Sequence, residues 1–248
     1  MDMDSTDSSR RRRGIYLLPN LFTTAALFSG FYAITAAFNQ RFELAAVVIF
    51  VAMILDGLDG RVARLTNTES EFGAHYDSMA DMVSFGAAPA LVVYVWSLST
   101  LGKFGWFAAF VYAAGCALRL ARFNAQLETA DKRYFQGLPS PSAAAILAGL
   151  VWVATEYGFE GETLSYFVLV ITMLSGLLMV SNFRYYSFKD INLRGRVPFV
   201  VAIAVMLSFG LVFAHPPVML FMLFLSYAIS GPALTFALRR RRRRNQRR

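Results

Sequence analysis

Asp56-Gly57-Leu58-Asp59-Gly60-Arg61-Val62-Ala63-Arg64 and, eight residues on, Gly73-Ala74-His75-Tyr76-Asp77-Ser78-Met79-Ala80-Asp81 are the two stretches that decide what this chain can be. Each adjoins a long apolar run. A charged side chain near the bilayer centre costs roughly 2.5–3.5 kcal/mol on insertion scales, so four carboxylates at or inside the ends of membrane-length segments require cations. On a helix, residues three or four apart share a face. Asp56 and Asp59 therefore form one stripe, and Gly73, Asp77 and Asp81 form another. Two such helices side by side make a single acidic site.

Working outward, the 248 residues are 56% hydrophobic with a mean hydropathy of +0.47, too apolar for an ordinary soluble domain. The runs 14–40, 82–102, 134–155 and 163–183 contain no Asp, Glu, Lys or Arg. Each is long enough to place about 20 helical residues across the hydrocarbon. The run 197–238 is twice that length, and His215-Pro216-Pro217 divides it into two spans. Two shorter runs, 44–55 and 104–118, become spans by extending into the Asp56 motif and the Arg119 region. The expected fold class is all-α, a polytopic bundle of about eight transmembrane helices without a separate soluble domain. Residues 1–13 read as a disordered basic segment, 14–238 as the membrane domain and 239–248 as an Arg-rich tail. The apolar part of 14–40 is longer than the 7–15-residue core of a signal peptide, so it is expected to remain as the first helix. A single cysteine, Cys116, excludes an intrachain disulfide.

The net charge of +8 follows from topology. Lys and Arg concentrate in short cytoplasmic loops. With the N-terminus inside, every basic residue except Arg41 and Lys103 falls on the cytoplasmic side: Arg10 to Arg13, Arg61, Arg64, the 119–133 and 184–196 loops, and the tail. Glu156, Glu160 and Glu162 fall outside. A nucleic-acid partner is therefore not expected, and Arg239 to Arg244 are expected to meet anionic membrane lipids.

Four oxygen-bearing side chains suit hard cations such as Mg2+ or Mn2+, and two ions would balance four carboxylates. A two-metal centre clamps a diphosphate and stabilises both attacking and leaving oxygens in an in-line displacement. Gly60, Ala63 and Gly73 are small enough for a nucleotide to approach, and Arg64 can contact phosphate oxygens. A helix cap explains one Asp but not four at two helical spacings, and the D-x-[DN]-x-[DN]-G pattern of a calcium loop is absent. Thr68 followed by Glu71 fits a capping box between the two helices. His75 lies on another face and reads as a headgroup contact or packing.

The spacing D-x-x-D-G-x-x-A-R-x8-G-x3-D-x3-D resembles the signature of the CDP-alcohol phosphotransferase family, with all eight fixed residues present across 26 positions. That resemblance implies a six-helix core, a CDP-linked phosphatidyl donor, release of CMP, and a homodimer. It also implies that Asp56, Asp59 and Asp77 are the principal metal ligands and that Asp81 joins a second metal and acts as general base. Gly60, Ala63, Arg64 and Gly73 would line the CDP pocket.

The acceptor alcohol is read from other segments. Leu18-Pro19-Asn20-Leu21-Phe22-Thr23, Ala117-Leu118-Arg119-Leu120-Ala121-Arg122-Phe123-Asn124, Gly137-Leu138-Pro139-Ser140-Pro141 and Val180-Ser181-Asn182-Phe183-Arg184-Tyr185 resemble the membrane-embedded bacterial branch of this family that uses CDP-diacylglycerol and L-serine. Ser140 and Tyr186 depart from that pattern. An amino-acid acceptor needs a cation for its carboxylate. Arg119 and Arg122, three apart on one face, can supply one for serine and one for diphosphate, with Asn124 and Arg184 as further candidates. The same arginines also fit the positive-inside rule with snorkelling side chains. Pro139 and Pro141 read as helix-start punctuation. Two rivals fit part of the pattern: the same chemistry with glycerol 3-phosphate as acceptor, and a divalent-cation transporter, since intramembrane carboxylates also mark ion pathways.

Overall fold

The computed structural model describes residues 5–66, 68, 70–125, 134–186, 210 and 214–245. Its elements are α1 (Ser5–Phe38), α2 (Phe42–Thr66), α3 (Glu71–Asp81), α4 (Ala88–Trp96), α5 (Lys103–Ala125), β1 (Tyr134–Gln136), α6 (Ser140–Glu156), α7 (Ser165–Val180), β2 (Arg184–Tyr186) and α8 (Pro216–Asn245). A π-helical turn, Met82–Ala87, joins α3 to α4 without a break, so the described residues form seven helical rods. The span expected between 197 and 214, apart from residues 210 and 214, lies outside the described residues. Four stretches are long and apolar enough to cross a membrane: Pro19–Phe38, Glu71–Trp96, Lys103–Ala125 and Pro216–Thr235. The chain is an integral membrane protein. α1 begins at Ser5, within the segment that composition assigns to disorder; arginine is a good helix former, and the first helix carries on through Arg10 to Arg13.

The third span differs from its expected limits. A count of charge-free residues gives 82–102, whereas the helix runs from Glu71 to Trp96 and takes in Asp77 and Asp81. Those carboxylates face the protein interior, where a helix in a membrane tolerates charge. The chain then turns through a short 3-10 segment, Leu98–Leu101. Ser97 Oγ donates to Gly161 O at 2.6 Å, which ties this end to the loop between α6 and α7.

Helix association in lipid gains little from hydrophobicity, so small residues that admit close backbone contact carry the packing. α1 and α2 form a hairpin lined by Ala33, Ala36, Ala37, Ala45, Ala46 and Ala52, all buried. Its turn is a Schellman motif: Gln40 N donates to Ala37 O and Arg41 N to Ala36 O, with Gln40 in the left-handed region at φ 59°. α5 crosses α7 at Gly115 and Gly176, where a Cβ on Gly115 would stand 2.5 Å from Gly176 O. α6 lies at the centre, buried over most of its length.

Among the described residues the only strands are β1 and β2, an antiparallel ladder that pairs Tyr134 with Tyr186 and Gln136 with Arg184. Gly137 follows at φ 79°, its amide donating to Phe183 O at 2.9 Å, and a Cβ there would collide with Met179 O. Pro139 then occupies the N-cap of α6 and Pro141 its first turn, as helix-start punctuation predicts. This ladder sets where α6 begins. It thereby places Ser140 beside α5.

Candidate active site

α2 and α3 both pack on α1, and three of the four carboxylates come together where the two helices meet. One oxygen from each of Asp56, Asp59 and Asp77 lies within 4.8 Å of the others. Asp59 is buried at 5% exposure, and its Oδ2 accepts a 2.7 Å hydrogen bond from Thr23 Oγ1 of α1. Asp77 Oδ1 is buried and has no hydrogen-bond donor among the described residues. A buried carboxylate oxygen without a donor is costly unless a cation completes it. The donor set is all oxygen, as Mg2+ and Mn2+ prefer, so the residues present fit a divalent ion.

Asp81 stands one turn beyond Asp77, at the last residue before the π-helix. It adjoins Asp56, Asp77 and Arg119 but is not one of the three converging groups. The π turn that follows is braced from two sides: Tyr112 donates to Phe85 O at 2.9 Å, and Ser84 donates to Ala26 O at 3.0 Å. π turns recur where a helix must re-aim a functional side chain. Here the turn separates the carboxylate stripe of α3 from the apolar stripe of α4.

The join between α2 and α3 is built differently from the expected capping box. Thr68 is buried against Thr66, with 2.7 Å between their hydroxyls, and its amide donates to Ala63 O to close α2. The N-cap of α3 is Ser70, in extended conformation, whose Oγ accepts from Gly73 N at 3.0 Å. Because the cap falls two residues later than Thr68, Glu71 is the first helical residue and cannot reach back to it. Glu71 instead faces exposed His75 at 3.9 Å.

The residues expected to hold CDP lie along this join. Gly60 opens on space, with nothing within 4 Å of where a Cβ would stand. Ala63 is partly buried, Arg64 is exposed at the end of α2, and Gly73 sits 3.6 Å from Asn20 Oδ1 of α1, measured from the position of a Cβ. Beside Asp77, Ser78 and Asn124 exchange hydrogen bonds of 3.0 and 3.2 Å between α3 and α5. A groove of about 260 Å³ opens there, walled by Met79, Met82, Ala117 and Leu120.

The four acceptor candidates do not meet at one point. Arg119 lies within electrostatic reach of Asp81 and Asp56: its Nη1 donates to Ser140 Oγ at 2.7 Å, and its Nε is buried without an acceptor among the described residues. Arg122 turns toward the end of α7 and donates weakly to Ser181 O at 3.5 Å and to Asn182 Oδ1 at 3.3 Å. Asn124 is held by Ser78, as above. Arg184 is exposed on β2, and its amide donates to Thr235 Oγ1 of α8 at 3.3 Å.

Three partners of the site carry no signal in the spacing of the acidic motif: Thr23, Ser78 and Ser140. Thr23 closes the Leu18–Thr23 segment, and Ser140 is one of the two positions, with Tyr186, that depart from the pattern of resemblance. Neither segment by itself says which side chain meets Asp59 or Arg119.

A helical membrane bundle whose Asp-rich hairpin carries this motif defines a class, and the class is confirmed by comparison. Residues 16–181 match the CDP-alcohol phosphatidyltransferase family, and the chain belongs to that family. Among its relatives, a Helicobacter pylori protein named CDP-diacylglycerol–serine O-phosphatidyltransferase is 42% identical over 205 residues, covering 82% of this chain and 84% of the relative. A protein of the same name from Methanocaldococcus jannaschii is 35% identical over 184 residues, 74% of this chain and 80% of its own. One from Mycobacterium leprae is 37% identical over 185 residues, 73% and 61% respectively.

Proposed function

We propose that the protein transfers the phosphatidyl group of CDP-diacylglycerol to the hydroxyl of L-serine, giving phosphatidylserine and CMP. The observation that carries the chemistry is the convergence of Asp56, Asp59 and Asp77, with Arg119 within electrostatic reach of Asp56 and Asp81. The choice of serine is supported by the names of the relatives.

In this reading Asp56, Asp59 and Asp77 hold a divalent ion, Asp81 contributes to a second, and the ions are Mg2+ or Mn2+. Such ions, when bound, would supply positive charge to offset the diphosphate. Gly60 and Gly73 leave room for the nucleotide, and Arg64 meets its phosphates. Asp81 takes the proton of the serine hydroxyl, whose oxygen bonds to the lipid-side phosphorus while the bond to CMP breaks. Arg119 holds the serine carboxylate with a charge-assisted hydrogen bond. The groove walled by Met79, Met82, Ala117 and Leu120, with His75, Ser78 and Asn124 as its polar lining, is mostly apolar, as an acyl chain entering from the bilayer requires.

The membrane domain spans residues 14–238, lies in the cell inner membrane and works as a homodimer, with the site and both termini facing the cytoplasm. Cysteines introduced one at a time in a Cys116→Ala background test that topology: labelling from outside at residue 130 refutes it. The functional test is purified protein with CDP-diacylglycerol and Mg2+ or Mn2+, given serine, glycerol 3-phosphate or inositol phosphate in competition. Mass spectrometry is expected to find phosphatidylserine, lost on chelation. Phosphatidylglycerol phosphate as the main product overturns the serine assignment. Absence of CMP release with every alcohol overturns the transferase reading.

A further inference from the structure

Pro89 stands in the first turn of α4 and has no amide hydrogen, so Phe85 O, four residues before it, has no donor at the α-helical position. The hydroxyl of Tyr112, a fully buried residue of α5, fills that gap at 2.9 Å. On the opposite side Ser84 Oγ crosses to Ala26 O of α1 at 3.0 Å, and a Cβ on Gly30 would stand 2.6 Å from Ser84 Cα, so α1 lies directly on the turn. A Cβ on Gly86 would stand 3.2 Å from Cys116 Sγ of α5. The π turn is thus pinned between two helices by two hydroxyl bonds to main-chain oxygens, one received by the turn and one given by it.

Both bonds fall within about one helical turn after Asp81. The Ala88 amide reaches back five residues to Val83 O, the wider closure of a π turn, which is a rare geometry. Released from its braces, such a turn relaxes toward the α form, and relaxation rotates the residues on one side of it against those on the other. Asp81 is the residue from which the turn starts, Asp77 lies one helical turn farther off, and Asp56 and Asp59 belong to another helix. Slackening therefore reaches Asp81 first. Tyr112, Cys116 and Arg119 follow the spacing of a single face of α5, so the face that pins the turn also carries the arginine.

We infer that Tyr112 and Ser84 are positioning residues for Asp81: by pinning the π turn between α5 and α1 they fix where its carboxylate stands against the acceptor hydroxyl. They act through the backbone of the turn. The inference rests on the general-base reading of Asp81 above and adds how that base is aimed.

The test is steady-state kinetics of the full chain in lipid nanodiscs, with serine and CDP-diacylglycerol varied separately at saturating Mg2+ or Mn2+, beside thermal melting of the same samples. Tyr112→Phe removes only a hydroxyl bonded to a main-chain oxygen. Tyr185→Phe does the same on β2, where the buried hydroxyl donates to Ala228 O at 3.0 Å. Both are expected to lower Tm by similar amounts. Only Tyr112→Phe is expected to lower kcat, by about tenfold, with KM for either substrate within roughly twofold of the parent, whereas Tyr185→Phe is expected to keep kcat within about twofold. Ser84→Ala, which leaves the Tyr112 bond in place, is expected to lower kcat about three- to tenfold. Added to Asp81→Glu, whose carboxylate is already misplaced, either change is expected to cost less than about twofold more. Unchanged kcat in both Tyr112→Phe and Ser84→Ala overturns the inference, as does a loss that adds in full to that of Asp81→Glu, or an equal loss in Tyr185→Phe. Should Tyr112→Phe fail to fold, Ser84→Ala decides the matter by the same criteria. If Asp81→Glu slows turnover and the folded hydroxyl variants do not, only this inference falls. If Asp81→Glu turns over normally, the general-base reading falls and takes this inference with it.

Discussion

The three converging carboxylates come from two helices that follow one another in the chain, whereas Arg119 takes its hydroxyl partner from α6. The acidic side is thus almost complete within one helical hairpin, with Thr23 of α1 as its outside support. The arginine side is assembled with a segment 21 residues away. A hairpin fixes charge by local helix geometry, so it delivers the same cluster wherever the motif occurs. An arginine held by remote elements can be re-aimed by changing those elements. Chemistry common to a family belongs on the first kind of scaffold, and choice of acceptor on the second.

The sharpest way to break this contrast is Asp77→Asn. Turnover is expected to fall by about two to three orders of magnitude, the scale for losing one preorganised electrostatic group. In chelator the same variant is expected to melt roughly 2–4 °C higher, because one of three crowded like charges is gone. Calorimetry and CMP release on the same sample decide it; an active Asp77→Asn enzyme removes the carboxylate from the metal clamp.

Asp81→Glu keeps the charge and moves the carboxylate by one methylene. A fall of about 100-fold in kcat is expected from misplacement alone. Normal turnover would withdraw the general-base role from Asp81.

On the arginine side, Arg119→Gln is expected to raise KM for serine by about tenfold or more, for a charge-assisted hydrogen bond of roughly 1.5–3 kcal/mol. Arg122→Gln is expected to do much less, since its bonds of 3.3 and 3.5 Å are long and run to the end of α7. If the two rank in reverse, the acceptor carboxylate sits at Arg122 and the division drawn above must be moved along α5.

The smallest effect expected is that of Thr23→Val, which removes the donor to Asp59 while keeping the shape of the side chain. A loss of about three- to tenfold in turnover is expected, with a rise in the metal concentration needed for half-maximal rate. An unchanged metal requirement would make Thr23 a packing residue of the α1–α2 hairpin.

Much of this was legible in the chain. Helical periodicity places Asp56 beside Asp59 and Asp77 beside Asp81, and Pro139, Pro141 and Pro216 stand where helices begin. The third span was mislocated because a charge count weighs residues and ignores where they point. Asp77 and Asp81 lie within that span because their side chains face inward. The cap fell at Ser70 and not Thr68 because Thr68 was already engaged with Thr66 and Ala63. A local motif cannot register that competition.

What the sequence determined by itself is whatever depends on neighbours along the helix: membrane character, the family motif, and the pairing of carboxylates on two faces. Only the tertiary structure decided that Asp56, Asp59 and Asp77 converge while Asp81 stands beside them, that Thr23 supports Asp59, and that Arg119 rather than Arg122 lies within electrostatic reach of Asp56 and Asp81. The reason is geometric. Side-chain meetings across 21 to 60 residues depend on how far one backbone can approach another, and that is set by alanine and glycine contacts between helices and by a π turn that no residue pattern announces.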